Sequence, residues 1–102
     1  MDSIHFAMCL DYRISPEVFQ QIENLVNRYS HRNFNFYARP APWGIGIIAE
    51  EFTKSKGKFY CQQFFPMEEI NLRIEKDQLE SLIDFIVRHL IEEINQQKLL
   101  KI

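Results

Sequence analysis

Three glycines and four prolines in 102 residues leave few positions where the backbone can turn sharply or take left-handed conformations. There is no internal repeat, no low-complexity tract and no interdomain linker. The pair Gly44-Ile45-Gly46 precedes a strand-like run rather than opening a helix after one. Neither a dinucleotide fingerprint nor a P-loop is therefore present. Cysteine occurs twice, at Cys9 and Cys61, in a chain with enough apolar residues to fold without a staple. Two reduced, buried thiols are expected, and a disulfide between facing strands is the alternative. No stretch approaches the ~18 apolar residues of a membrane span, and Met1-Asp2-Ser3-Ile4-His5 is not a basic region followed by an apolar signal core. A cytoplasmic protein without membrane contact is expected, or one exported without a cleaved leader. A single-sign charge field is also missing. Residues 1–52 hold four Arg against six acids, residues 53–102 hold eight basic against eight acidic groups, and the net charge is −2. That balance disfavours a strong phosphate-driven nucleic-acid binder.

What the chain does have is aromatic side chains: nine Phe, four Tyr and one Trp. With 46% hydrophobic and 25% charged residues it falls in the globular range, and its length suits one domain over residues 1–102. The organising stretch is Pro40-Ala41-Pro42-Trp43-Gly44-Ile45-Gly46-Ile47-Ile48-Ala49-Glu50-Glu51-Phe52. It lacks helical spacing and is rich in β-branched residues, so it reads as a central strand. Prolines 40 and 42 mark its boundary, and Gly46 marks a bulge or a close backbone approach.

Ahead of it, residues 3–12 alternate, with Ile4, Phe6, Met8, Leu10 and Tyr12 on one side, and predict a strand. Ser15-Pro16-Glu17 starts a helix by capping free amides, tolerating proline at the first position and meeting the positive end of the dipole. Val18, Phe19, Ile22, Leu25, Val26 and Tyr29 make its apolar stripe. Phe34–Arg39 predicts a strand with Phe34, Phe36 and Ala38 on one face and Asn35, Tyr37 and Arg39 on the other. Thr53–Lys58 reads as a hairpin loop into a strand over Phe59–Phe65, which Pro66 ends. Alternation of Ile70, Leu72 and Ile74 suggests a short fifth strand or a bent continuation of the fourth. Asp77, with Glu80 three residues on, predicts the cap of a last helix running to about Gln97, with Asp84 paired to Arg88. Phe85 projects outside that helix's apolar stripe.

The order β-α-β-β-β-(β)-α predicts an α+β single-domain two-layer sandwich: a mostly antiparallel four- to five-stranded sheet with two helices on one face. The opposite face would carry Asn35, Tyr37, Arg39, Tyr60 and Gln62 beside His5, Ala7 and Cys9.

Candidate chemistry is thin. His5 and Cys9 lie about 13 Å apart along a strand, too far to share a metal, and His31 and His89 have no ligand spacing, so no metal or cofactor is expected. Cys9 and His5 cannot form a nucleophile–base pair within one regular strand, and spacing leaves open whether Cys61 lies near His31 or His89. Glu50 and Glu51 are adjacent on a strand and point to opposite faces, so they do not make an acid/base pair. No catalytic motif emerges, and a non-enzymatic role is expected. Aromatic sheet residues with Lys54, Lys56 and Lys58 resemble a single-strand nucleic-acid platform only loosely. The preferred expectation is a protein-interaction module, an inhibitor or immunity-type protein or a dimeric adaptor. It would bind a partner protein or itself through Tyr37, Arg39, Trp43, Tyr60, Phe85 and His89, residue types that bury large area with few rotors. A small-molecule-binding domain with an aromatic-lined pocket is the alternative.

Overall fold

The computed structural model describes residues 14–100; the strand expected over 3–12, with His5 and Cys9, lies outside them. Helix α1 (Pro16–Asn27) begins where the sequence places it. Ser15 accepts a hydrogen bond from the Val18 amide at 3.3 Å, Pro16 occupies the first helical position and Glu17 lies in the first turn. Its buried side chains are Phe19, Ile22 and Val26.

Three strands follow: β1 (Phe34–Ala41), β2 (Gly44–Thr53) and β3 (Gly57–Pro66). They form one antiparallel sheet in the order β1-β2-β3, so the apolar stretch around Ile45–Ile48 is the central strand. The boundary is not where the prolines suggested. Pro40 belongs to β1 opposite Ile45, and only Pro42 and Trp43 separate the two strands. Proline is tolerated there because Pro40 has its backbone nitrogen on the outer edge of the sheet. Gly46 is not a bulge: it sits in unbroken register between Arg39 and Phe64. Its reason is close approach, since an added β-carbon would lie 2.5 Å from the Phe64 ring.

After Pro66 the expected fifth strand is a helix instead, α2 (Met67–Glu75). Glu68 and Glu69 stand in its first turn and Arg73 in its last, and Arg73 pairs with Glu69 at 3.0 Å. These end charges favour a helix, and the alternation of Ile70, Leu72 and Ile74 was coincidental. Only Ile70 is buried, while Leu72 and Ile74 are 41% and 38% exposed.

Asp77 does not cap the last helix. It takes a positive φ of 55° and closes α2. Its amide donates to the Ile74 carbonyl at 3.1 Å, and the Gln78 amide donates to the Arg73 carbonyl at 2.7 Å, the paired bonds of a Schellman end. Aspartate tolerates this left-handed position better than most residues do. Helix α3 (Leu79–Leu100) then starts, with Gln78 accepting its first bond from the Leu82 amide, and extends three residues past the expected end.

The described residues thus form an α+β fold with three antiparallel strands in one sheet and three helices, where two helices were expected, the additional one replacing the expected fifth strand. Phe36, Ala38, Ile45, Ile47, Ala49 and Phe59 from one sheet face join Phe19, Ile22 and Val26 of α1, Met67 and Ile70 of α2, and Leu79, Ile83, Ile86, Val87, Leu90 and Ile94 of α3 in a single core. Each buried aliphatic or aromatic side chain there contributes roughly 1.5–3 kcal/mol. Among the described residues no helix is long and apolar enough to cross a membrane.

Candidate functional site

Side chains alternate across a strand, so placing Phe36, Ile47 and Phe59 in the core sends their neighbours to the other face. The register sets these in rows: Arg39, Gly46 and Phe64; Tyr37, Ile48 and Gln62; Asn35, Glu50 and Tyr60; then Phe52 and Lys58. The face is not bare, because Ile48 at its centre is fully buried. Its exposed apolar surface lies toward the ends and along β3. Phe52 is 58% exposed, Trp43 45%, Tyr60 42% and Phe64 37%.

At one end, Trp43 projects from the β1–β2 turn and its ring centroid lies 5.8 Å from that of Phe64, tilted by 60°. The Phe64 ring occupies the space above Gly46, in the row that also holds Arg39. The indole and the phenyl ring thus meet at one corner of the sheet, with Arg39 in the same cross-strand row.

The middle of the face is polar and internally satisfied. Glu50 accepts hydrogen bonds from Asn35 at 3.3 Å and Tyr37 at 3.4 Å, and pairs with Lys58 at 3.1 Å. Burial pushes its carboxyl up, but the hydrogen bonds from Lys58, Asn35 and Tyr37 prevail and hold it below the ordinary value. Burial, then the Glu50 charge, pushes the Tyr37 phenol up, so it stays protonated and a donor. Tyr60 donates to the Gln62 side chain at 2.8 Å.

Four of the six expected contact residues, Tyr37, Arg39, Trp43 and Tyr60, therefore share this side. Phe85 and His89 do not; they stand on α3, where Phe85 is 70% exposed. Phe85 rims a groove of about 440 Å³ between β3, α2 and α3, lined also by Gln63, Phe65, Leu82 and Ile86, with the Glu69–Arg73 pair at its wall. His89 faces Glu93 at 3.8 Å. Sequence reading does not single out Phe64 and Phe52 as surface residues, and it treats Glu50 only as an acid/base candidate or a solvated strand end. The signal for Phe64 was its position in the Phe64–Phe65 pair, of which alternation must send one ring to each face.

The remaining reactive groups are quiet. Cys61 is free and half-buried; burial, then the Glu93 charge, pushes its thiol up, with the Gln62 amide acting weakly the other way. That direction is the reverse of what a thiolate nucleophile needs. His31 meets the Tyr29 carbonyl at 3.0 Å and stacks on Phe34. Among the described residues no three His, Cys, Asp or Glu side chains gather as metal ligands would. The hairpin lysines are partly engaged within the chain, Lys58 by Glu50 and Lys56 by the Lys98 carbonyl at 3.2 Å.

No protein-family model matches this chain, nor does any curated protein or solved structure.

Proposed function

We propose that the protein acts without catalysis, as an interaction module that docks on a partner protein through the sheet face opposite its helices. The observation that carries this is the Trp43–Phe64 pair, left substantially exposed, with Arg39 in the cross-strand row of Phe64. Trp, Tyr and Arg are the side chains that concentrate binding energy at protein interfaces. A rim of Tyr60, Gln62 and the satisfied Glu50 network supplies polar complementarity without an unpaired buried charge. A small inhibitor of the immunity type or a compact adaptor suits such a surface.

Glu50 argues against a nucleic-acid role. Its carboxylate stands on the aromatic face and pairs with Lys58 there, so stacked bases would bring phosphates toward negative charge. The groove beside Phe85 favours a second reading, a small apolar ligand held against Phe65, Leu82 and Ile86. A thermal-shift screen separates the two, because a bound ligand raises the midpoint by mass action.

The test is affinity capture from the native host with the unaltered chain, Trp43→Ala and Arg39→Glu side by side. One protein species retained by the first and lost from both variants, with far-UV signal unchanged, supports the reading. Equal retention by all three contradicts it.

A further inference from the structure

The two outer edges of the sheet are treated differently. Phe52 donates its amide to the Asn33 carbonyl at 3.2 Å, so even-numbered residues of β2 bond toward β1 and odd-numbered ones toward β3. By antiparallel pairing, Phe34, Phe36, Ala38 and Pro40 of β1 turn their backbone groups outward, as do Tyr60, Gln62 and Phe64 of β3. The β1 edge is sealed by the chain itself. His31 and Phe34 exchange both backbone bonds, at 3.1 and 2.9 Å. The Ser30 hydroxyl accepts from the Phe36 amide at 2.9 Å and donates to its carbonyl at 3.3 Å. Pro40 has no amide hydrogen to offer, which leaves Ala38 alone between closed positions.

Among the described residues the β3 edge is sealed at one point, where Gln97 donates its side-chain amide to the Tyr60 carbonyl at 3.0 Å. Between that seal and Pro66, the backbone groups of Gln62 and Phe64 have no interstrand partner among the described residues. No charged side chain, bulge or proline interrupts this short run, the usual means of blunting an edge. Alongside it stand Phe85, projecting from α3, and the apolar groove.

We infer that β3 is a homodimerisation edge: a second copy of this chain pairs with it antiparallel about a two-fold axis near Gln63, joining the three described strands of each copy into one sheet. The open run selects this arrangement. A two-fold at Gln63 sets Gln62 of each copy against Phe64 of the other, so that every unpaired donor meets an acceptor. The seals at Tyr60 and Pro66 bound the run on either side. The closed β1 edge disfavours head-to-tail growth, so the assembly stops at two. Glu93 lies near Cys61, and Phe85 lies near Gln63 and Phe65, so α3 runs along β3. The two-fold then brings the α3 helices side by side and antiparallel. The Phe85–His89 part of each helix approaches Glu92 and Glu93 of the other, which covers the exposed Phe85 ring.

This inference does not depend on the sheet-face reading: it uses the outward backbone groups of Gln62 and Phe64 and the α3 residue Phe85, whereas that reading uses side chains on the sheet face. The test is sedimentation velocity of the full chain over a micromolar concentration series, with Gln62→Pro, Phe85→Glu and Trp43→Ala. Proline at Gln62 removes an outward amide on an edge strand, and Phe85 is exposed in the single chain, so both variants should keep their far-UV signal. The expected result is a reversible dimer whose dissociation constant rises about tenfold or more, at least 1.4 kcal/mol, in the first two variants and is unchanged in the third. A monomer at every concentration overturns the inference. So does a dimer indifferent to Gln62→Pro and Phe85→Glu, or one that Trp43→Ala dissolves.

Discussion

The Phe64 ring lies so close over Gly46 that a β-carbon placed there would come within 2.5 Å of ring carbon Cε1. A glycine in the central strand thus makes room for a large ring beside Trp43. Gly46→Ala must displace the ring. Because Phe64 is partly exposed and can swing outward, the expected cost is about 1–3 kcal/mol rather than loss of fold. Trp43 is the only tryptophan, so its emission reports the change directly. A shifted spectrum with a modestly lowered unfolding midpoint is expected, and an unchanged spectrum would contradict the contact.

Glu50 gives a pH dependence of known sign. Its carboxyl is held below the ordinary value, so its contribution to stability is present above the usual carboxylate range and is lost as pH falls through the folded value. Glu50→Gln should cost at most about 1 kcal/mol near neutrality, since the pair with Lys58 is partly exposed. The gap between variant and unaltered chain should close in acid. Chemical denaturation at several pH values checks it, and a gap that widens in acid contradicts the assignment.

Helix α2 makes a prediction that a strand would not. With Ile70 buried and Leu72 exposed, Ile70→Ala should cost about 2–5 kcal/mol, whereas Leu72→Ala should stay within about 0.5 kcal/mol. Had these residues alternated on a strand, the two losses would be similar. Urea midpoints of both variants decide.

Asp77 offers a paired comparison at the end of the same helix. A positive φ of 55° means that Asp77→Gly relieves backbone strain, while Asp77→Ala retains it without aspartate's tolerance of the left-handed region. Glycine should therefore be at least as stable as aspartate, and alanine less stable by roughly 1 kcal/mol. An N-cap role would instead make both replacements destabilising.

Much of this arrangement was legible in the residues. The Ser15-Pro16-Glu17 start, the core stripes of α1 and α3, the central position of β2, and the division of Phe36 from Tyr37 and Arg39 all follow from periodicity and capping, which act locally. So does the Asp84–Arg88 pair, at 2.8 Å. What failed was of two kinds. Ile70, Leu72 and Ile74 fit a two-residue period over too few turns to exclude a helix, and the end charges at Glu68, Glu69 and Arg73 decided for it. Asp77 carries the chemistry of an N-cap and of a left-handed C-terminal residue alike, and only the connection between α2 and α3 selects one. The site was half legible. Tyr37, Arg39, Trp43 and Tyr60 converge because strand alternation is local, but the pairing of Phe64 with Trp43 depends on register. Likewise the separation of Phe85 and His89 from that face depends on where α3 packs.

The sheet face bearing Trp43, Arg39 and Tyr60 is proposed to meet a partner protein. Site-specific photo-crosslinking in the native host tests this proposal most directly, with a photoreactive residue placed in turn at Arg39, at Tyr60 and at the solvent-facing α1 position Gln20. One common partner trapped from Arg39 and Tyr60, and absent from Gln20, is the predicted result. No protein adduct from the two sheet positions, or the same adduct from all three, would contradict it.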